Sequence, residues 1–233
     1  MSLQYESVRP DTLYPDAFRV PAPESPLGRE IWPRQPGGFI RLTAAQAAED
    51  AAEAAEADKP AREWVAGQLG LVPKWVKSAS DAKLRATKLS EARAETASTA
   101  PAFREAWLAG QRCIVPMMAF VVDDWRSGKA VPTRVARVDG QPMGVAGLWE
   151  CWTGADGESI VSYTLLTVNA NSHALMHRYQ HGGNEKRMPA ILNEGAFDAW
   201  LSARPEKAKE FMRAYPANWL TANPVQKSAR AKA

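Results

Sequence analysis

Three histidines lie at four-residue steps, at His173, His177 and His181. On one continuous helix their imidazoles would share a face and could bind a transition metal. A glycine pair, Gly182 and Gly183, follows at once and is typical of a helix end. We therefore predict no metal and no cofactor, with His181 as a single functional histidine and the other two on the surface or in packing. A metal site through all three histidines is the alternative.

A basic stretch with an aromatic side chain occupies residues 74–93. Its cations are Lys74, Lys77, Lys83, Arg85, Lys88 and Arg93, and its acids are Asp81 and Glu91. Cations can follow the phosphates of a nucleic-acid strand while Trp75 stacks on a base. The stretch therefore predicts a groove for single-stranded DNA. The alternative is a solvated face with Trp75 in the core.

Three segments carry a family pattern. Residues 91–96 read Glu-Ala-Arg-Ala-Glu-Thr, residues 112–116 read Arg-Cys-Ile-Val-Pro, and residues 186–192 read Lys-Arg-Met-Pro-Ala-Ile-Leu. Residues 69–75 and 144–149 add weaker matches. In this order and spacing, the segments resemble the SOS-response-associated peptidase (SRAP) family.

The resemblance implies a DNA-binding protein of the SOS or DNA damage response, because members of that family sense abasic sites in single-stranded DNA. In the family, a cysteine directly after the initiator Met attacks the aldehyde of the opened abasic sugar and forms a thiazolidine ring. The same cysteine is thought to cut away whatever precedes it. An Asn, an Arg, a Glu and a His complete the family's site.

Five positions of this sequence match the family's scaffold, and they are Arg93, Glu95, Arg112, His181 and Arg187. The resemblance implies that His181 is the acid or base, with a longer spacer before the Arg-Met-Pro motif. From the resemblance and the basic stretch together, we predict DNA contacts by a set of six side chains. These are Arg93, Trp75, Lys74, Lys77, Arg112 and Arg187.

Three reactive positions differ from the family. Ser2 stands in place of the cysteine, Glu91 in place of the Asn, and Val122, with Asp123 beside it, in place of the Glu. A serine hydroxyl is far less nucleophilic than a thiol near neutral pH, so Ser2 cannot form the thiazolidine. Val122 cannot transfer a proton. We expect the covalent and proteolytic chemistry to be weakened or lost, and we take Ser2, Glu91 and His181 as the catalytic candidates.

Four alternatives stay open. In the first, Glu91 or Asp123 takes over the lost carboxylate role. In the second, the α-amine of Ser2 forms a reversible imine after removal of Met1. In the third, Ser2 belongs to an added leader that replaces a native Met-Cys opening. In the fourth, the chain is a non-enzymatic protein-interaction module of phage or host origin, which the acidic residues 43–58 favour.

An α+β architecture must position these residues. Strand-like runs rich in Val, Ile, Leu and aromatics occupy residues 112–122, 133–138, 143–152 and 159–168. Asp139-Gly140 predicts a hairpin turn between the second and third of them. Helices are predicted over residues 43–58, 171–180, 194–202 and 205–214, and between Pro101 and Gly110. Residues 1–42 predict irregular extended chain.

The resulting fold prediction is a largely antiparallel, barrel-like β-sheet with peripheral helices. We predict one domain over residues 1–222 and a basic tail over residues 223–233. The formal net charge of the 233-residue chain is +3, and no apolar run approaches the roughly 18 residues that span a bilayer. The N-terminus also lacks the features of a signal peptide. We expect a cytoplasmic monomer with no membrane partner.

Other common sites are excluded by the sequence. It has no phosphate-binding Gly loop, no Ser nucleophile elbow and no two-Cys zinc pattern. Its two cysteines, Cys113 and Cys151, lie in apolar, strand-like surroundings. They therefore predict buried free thiols rather than a disulfide.

Overall fold

The computed structural model describes residues 4–43 and 61–225. Its strands are β1 (Gln4–Glu6), β2 (Glu30–Ile31), β3 (Pro36–Leu42), β4 (Arg62–Leu69), β5 (Glu91–Arg93), β6 (Arg112–Met117), β7 (Ala119–Asp124), β8 (Val131–Arg137), β9 (Met143–Thr153), β10 (Ser159–Asn169), β11 (Arg187–Pro189), β12 (Ile191–Leu192) and β13 (Leu220–Pro224). Its α-helices are α1 (Leu13–Phe18), α2 (Ala79–Ala86), α3 (Arg104–Leu108) and α4 (Phe197–Leu201). Short 3₁₀-helices occupy Thr87–Leu89, Met176–Arg178, Glu194–Ala196, Ala208–Phe211 and Ala217–Trp219. Ser2 and, apart from its first residue, the predicted helix over 43–58 lie outside the described residues.

Five strands close a barrel. In the order β4, β3, β6, β9 and β10, each strand pairs with the next, and β10 returns to β4. The first four pairings are antiparallel. The closing pair is parallel and short, with Gln68 opposite Ser162 and Leu69 opposite Tyr163. This arrangement confirms the predicted α+β class with a largely antiparallel, barrel-like core.

A second, antiparallel sheet packs beside the barrel in the order β13, β8, β7, β1 and β2. The predicted strand over 112–122 is divided between the two sheets, because the chain leaves β6 and enters β7 at Met118. The Met118 amide donates a hydrogen bond of 2.9 Å to the carbonyl of Glu6. The buried hydroxyls of Tyr5 and Tyr163 lie 2.5 Å apart and join β1 to the barrel.

The N-terminal part of the chain is more regular than its composition predicts. Among residues 4–42, three strands and α1 replace the expected irregular chain. The partner of β1 is β7, with Tyr5 opposite Phe120. A strand that pairs with a segment more than a hundred residues away leaves little local pattern in the sequence, which explains the error.

The predicted hairpin at Asp139-Gly140 is wrong. In the described residues β8 pairs with β7 and β13, whereas β9 pairs with β6, β10 and β12. Gly140 has a φ of 73°, and Asp139 accepts hydrogen bonds from the Arg137 side chain. A turn is therefore present at Asp139-Gly140, as the dipeptide predicts. It does not join two paired strands but leads the chain from the second sheet into the barrel.

Two predicted helices are reduced to single 3₁₀ turns. In the segment over 171–180, the His173 ring accepts the amide hydrogens of Leu175 and Met176, which a helix would use within its own backbone. In the segment over 205–214, the hydrogen bonds of Glu210 and Met212 reach three residues back rather than four. The other two predicted helices are present in shorter form, as α3 and as the 3₁₀ turn that leads into α4.

The core fills the barrel and the space between the two sheets. Phe103, Ala106 and Trp107, which lie at or next to α3, are buried together in the core. Cys113 is buried as expected, but Cys151 is exposed. Strand β13 runs to Pro224, two residues beyond the predicted domain end. None of the helices in residues 4–43 and 61–225 has the length and apolarity to cross a membrane.

Candidate functional site

A cavity of about 630 Å³ brings together residues from distant parts of the sequence. It lies where β5, the end of β7 and the segment from Gln180 to Arg187 meet. Four predicted site residues line it, namely Glu91, Arg93, His181 and Arg187. Asp123, which the sequence offered as an alternative carboxylate, also lines it.

Strand β5 presents two of these side chains. It runs parallel to β10, with Glu91 opposite Leu165 and Arg93 opposite Thr167. Because side chains alternate along a strand, Glu91 and Arg93 point to the same face, and Ala92 between them is buried on the other. The Glu-Ala-Arg pattern of β5 therefore places two charged side chains in one cavity.

Arg187 forms the buried base of the site. Its Nη1 and Nη2 donate hydrogen bonds of 2.9 and 2.8 Å to the two carboxylate oxygens of Glu95, and Nη2 also bonds to the Thr167 carbonyl. Burial alone would lower the pKa of Arg187, but the hydrogen bonds and charge of Glu95 outweigh it and raise the pKa. With its side chain only 8% exposed, Arg187 holds the site together rather than offering a free cation.

Glu185 links Arg187 to Arg93. Its Oε1 lies 3.0 Å from Arg187 Nη1, its Oε2 lies 2.7 Å from Arg93 Nη1, and Oε1 also accepts the Asn169 side-chain amide at 2.6 Å. Hydrogen bonds from Asn169 and then Arg187 hold the pKa of Glu185 below its ordinary value. Arg93 keeps 60% of its side chain exposed, so its remaining N–H groups can reach a phosphate.

His181 stands at the rim of the cavity. Its ring and the ring of Trp125 form a T-shaped pair with centroids 4.9 Å apart, and its Nδ1 lies 2.7 Å from the Gly182 carbonyl. A carbonyl can only accept, so Nδ1 carries the hydrogen and Nε2 keeps the lone pair of the neutral ring. This tautomer makes Nε2 the atom that can take up a proton.

The carboxylate that β7 contributes to the cavity lining is Asp123. Val122 is 2% exposed and belongs to the core, whereas Asp123 is exposed and lines the cavity. Strand β1 pairs with the same strand, with Gln4 opposite Val121, two residues before Asp123. The site therefore contains Asp123, Glu91 and His181 as groups that can exchange protons.

The first part of the basic stretch, with Lys74, Trp75 and Lys77, lies outside the cavity lining, whereas Lys88 and Arg93 at its end line the cavity. Trp75 is 42% exposed, so the alternative that places it in the core is wrong. Its Nε1 donates to the Pro101 carbonyl at 3.2 Å, and the guanidinium of Arg85 lies 5.0 Å from its ring. Lys77 is exposed, and Lys74 lies 3.6 Å from Glu150. Together they form a separate cationic surface with an aromatic side chain.

Arg112 does not belong to that surface, contrary to the expectation that it contacts DNA. It is 2% exposed, and its guanidinium carbon lies 5.5 Å from the rings of both Trp107 and Trp200. Its three side-chain nitrogens have no hydrogen-bond partner among the described residues. Burial lowers the pKa of Arg112 to about 10. A side chain in this position cannot reach a phosphate.

The three histidines do not form a metal site. His173 is buried, with its Nε2 2.7 Å from the Tyr215 carbonyl. The described residues contain no group of three or more His, Cys, Asp or Glu side chains that could hold a metal ion.

Sequence reasoning missed Glu185 and Gln180. Glu185 could have been noticed because it is an acidic residue two positions before Arg187. Gln180 gave no signal, because glutamine is not a residue type associated with its left-handed φ of 67°.

Comparison with known proteins adds family information. The sequence model of the family SOS response associated peptidase (SRAP) matches residues 21–231. The abasic site processing protein YoqW of Bacillus subtilis (strain 168) is 30% identical over 162 residues, which are 67% of this chain and 66% of YoqW. The abasic site processing protein HMCES of Rattus norvegicus is 25% identical over 187 residues, covering 67% of this chain and 50% of HMCES. This chain thus spans just under two thirds of YoqW.

Solved structures agree with the fold. A crystal structure of a protein from Bordetella bronchiseptica has a TM-score of 0.84 at 37% identity, and covers 97% of this chain and 100% of its own. A second, from Bacteroides thetaiotaomicron, has a TM-score of 0.67 at 23% identity, covering 85% and 78%. The second comparison supports the fold alone.

Proposed function

The chain belongs to the SOS response associated peptidase family, and from this premise we propose that it binds abasic sites in single-stranded DNA at the cavity around His181. One observation carries the proposal. The cavity unites Glu91 and Arg93 with His181 and Arg187, which are about ninety residues apart in the sequence. By the resemblance, Arg93, His181 and Arg187 match the family's scaffold, and Glu91 stands where the family has an Asn. The two relatives named above are abasic site processing proteins.

The charges of the cavity suit a sugar better than a phosphate at the centre. Glu91 and Asp123 supply negative charge there, and Arg187 is engaged with carboxylates. Arg93 and Lys88 are exposed at the lining and can contact the flanking phosphates. The opened sugar of an abasic site is uncharged and offers hydroxyl and aldehyde groups to the carboxylates and to His181.

The cationic surface around Trp75 supports a path for the strand beyond the cavity. Lys77, Lys83 and Arg85 are exposed there, and α2 leads directly into the 3₁₀ turn that carries Lys88. Cations that follow the phosphates and one aromatic ring for a base are the features of sequence-tolerant single-strand binding.

Covalent chemistry is weakened or lost in this proposal. Neither cysteine of the sequence lines the cavity, since Cys113 is buried within β6 and Cys151 lies on β9. Burial raises the pKa of the Cys113 thiol well above its ordinary value. Asp123, Glu91 and His181 remain in the cavity as groups that can bind the opened sugar and exchange protons with it. A role in the DNA damage response, a cytoplasmic location and a monomeric state are further parts of the proposal.

The test is a comparison of binding and crosslinking on one DNA. Single-stranded DNA with one abasic site is mixed with the unmodified protein, with Ser2→Cys, and with Ser2→Cys/Asp123→Asn, and each sample is run on native and denaturing gels. The proposal expects a native-gel shift from all three proteins and a denaturing-gel adduct from Ser2→Cys, weaker when Asp123 is also changed. An adduct from the unmodified protein would overturn the loss of chemistry. Absence of any shift would favour the protein-interaction module.

A further inference from the structure

We propose that Gln180 is a positioning residue that fixes the His181 imidazole at the cavity. Its side-chain amide makes two hydrogen bonds to the backbone of one residue. Nε2 donates to the Arg187 carbonyl at 2.6 Å, and Oε1 accepts from the Arg187 amide at 3.1 Å. A single side chain thereby imitates the paired hydrogen bonds of a strand neighbour and closes the base of the loop over residues 181–186.

The backbone of Gln180 ties the same loop to two further elements. Its N–H donates to the Asp123 carbonyl at 2.7 Å, at the end of β7. Its carbonyl accepts the Lys186 ammonium at 3.0 Å, and that ammonium also bonds to the His181 carbonyl at 2.8 Å. The main chain of Gln180 is therefore held from β7 on one side and from the end of its own loop on the other.

The backbone conformation of Gln180 shows that these contacts hold it in place. Its φ of 67° lies in the left-handed region, which residues other than glycine, asparagine and aspartate rarely adopt. Such a conformation persists where surrounding interactions determine it, and residues of this kind cluster at functional sites. In Gln180 those interactions include the hydrogen bonds to Asp123, Lys186 and Arg187.

The fixed backbone of Gln180 affects His181, the next residue in the sequence. His181 packs edge-on against Trp125, which follows Asp123 by two residues on the same chain segment. The end of β7 thus holds Gln180 through a carbonyl and His181 through a ring. At the tip of the loop, Gly182 offers its carbonyl to His181 Nδ1 at 2.7 Å, but Gly182 and Gly183 have no heavy atom within 4 Å of an added Cβ, so nothing packs against the tip itself. The contacts that anchor this loop to the rest of the protein are therefore those at its base.

We call the two hydrogen bonds between the Gln180 side chain and the Arg187 backbone the clamp, and its chemistry is specific to glutamine. Asparagine tolerates the left-handed conformation better, but it is one methylene shorter and cannot span both the N–H and the carbonyl of Arg187. Glutamate keeps the length and the acceptor, but it loses the donor and places a carboxylate against a carbonyl. Gln180→Asn therefore favours the left-handed backbone but breaks the clamp through its shorter side chain. Gln180→Glu keeps the side-chain length but breaks the clamp through loss of the donor.

The position of His181 can be read without DNA. The sequence has 3 histidines, so a two-dimensional ¹H–¹³C spectrum of the imidazole Cε1–Hε1 groups contains three cross-peaks, which His177→Gln and His181→Gln assign. His173, anchored on the Tyr215 carbonyl, serves as the internal reference. The spectra compared are those of the unmodified protein, Gln180→Asn, Gln180→Glu and, as a matched control, Gln141→Asn at an exposed turn.

We expect the His181 cross-peak to shift or broaden in both Gln180 variants, with the His173 peak unchanged and Gln141→Asn identical to the unmodified protein. An unmoved His181 peak in both Gln180 variants would overturn the proposal. Movement of the His173 peak together with that of His181 would also overturn it, because the substitution would then act on the fold as a whole.

The importance of Gln180 for DNA binding rests on the proposed function. A failure of the positioning role and a failure of the proposed function give different results. Affinity for abasic single-stranded DNA is expected to fall on the order of tenfold in Gln180→Glu, the scale of one lost hydrogen bond to a charged group. A displaced His181 peak with unchanged affinity would leave the clamp intact and overturn the assignment of His181 to the DNA site.

Discussion

Arg187 and Glu95 are 92 residues apart in the sequence and are joined by two nearly parallel hydrogen bonds of 2.9 and 2.8 Å. The guanidinium is buried, whereas half of the carboxylate side chain is exposed. This bidentate pair connects the segment that carries Arg93 to the segment that carries His181. Both segments also pair with strand β10, so the ion pair and the two strand pairings together bring two distant motifs of the sequence to one cavity.

The first prediction concerns stability. Replacement of Glu95 by alanine leaves the buried Arg187 with Glu185 as its remaining carboxylate partner. Removal of one partner from a fully buried pair costs about 3–5 kcal/mol, and solvent exposure of Glu95 reduces that figure. We expect Glu95→Ala to lower the free energy of unfolding by about 1–3 kcal/mol in urea denaturation. Glu158→Ala, at an exposed turn, is the control and should change it by less than about 0.5 kcal/mol. Equal losses in both variants would contradict the role of the pair.

The second prediction is a dependence of stability on pH. Burial of Glu95 would raise its pKa, but hydrogen bonds from Arg187 outweigh burial and lower the pKa below the ordinary 4.5. The pKa of Glu185 is lowered from 4.5 as well, through hydrogen bonds from Asn169 and Arg187. A carboxylate with a lowered pKa in the folded state stabilises that state above its unfolded pKa, and the contribution is lost as pH falls through the folded pKa.

The measurement is the urea midpoint of unfolding between pH 7 and pH 3, for the unmodified protein and for Glu95→Gln/Glu185→Gln. The unmodified protein should be the more stable at pH 7, and the difference should shrink as the pH falls below about 4.5. A difference that stays constant over the whole range would show that neither carboxylate is linked to folding.

The third prediction separates Arg112 from DNA binding. Its guanidinium is buried between Trp107 and Trp200 with no hydrogen-bond partner among the described residues. Replacement of a buried charge by an apolar side chain of similar length is often neutral or stabilising. We expect Arg112→Met to keep the free energy of unfolding within about 1 kcal/mol or to raise it, and to keep the affinity for single-stranded DNA. Arg112→Ala should cost about 2–4 kcal/mol, because it leaves a cavity.

Much of the fold could be predicted from the sequence, because the strands in residues 112–169 carry strong local patterns of apolar and β-branched residues. The error at Asp139-Gly140 has a physical cause. A turn dipeptide specifies the bend but not whether the two strands remain partners. Strand β1 was missed for the related reason that its partner β7 lies far along the chain.

The sequence could predict the charged residues of the candidate site, but it could not predict which of their side chains are buried. Glu91, Arg93, His181 and Arg187 were named as site candidates from the sequence, and all four line the cavity. Arg112 shows the limit, because a basic residue in a motif gives no information on whether its side chain faces solvent or two tryptophans. The role of Gln180 depends on a left-handed backbone and on contacts seven residues away, and neither has a sequence signal.

The fourth prediction concerns Arg93, an exposed cation of the cavity lining. Each phosphate contact to single-stranded DNA contributes about 0.7 to the slope of log K against log salt concentration. If Arg93 contacts one phosphate, Arg93→Ala should weaken binding of strands of any sequence and reduce the slope by about that amount. Lys209→Ala removes the same charge at an exposed position outside the cavity lining and should leave the slope unchanged. Binding isotherms at several salt concentrations measure both effects, and equal slopes for Arg93→Ala and the unmodified protein would remove Arg93 from the interface.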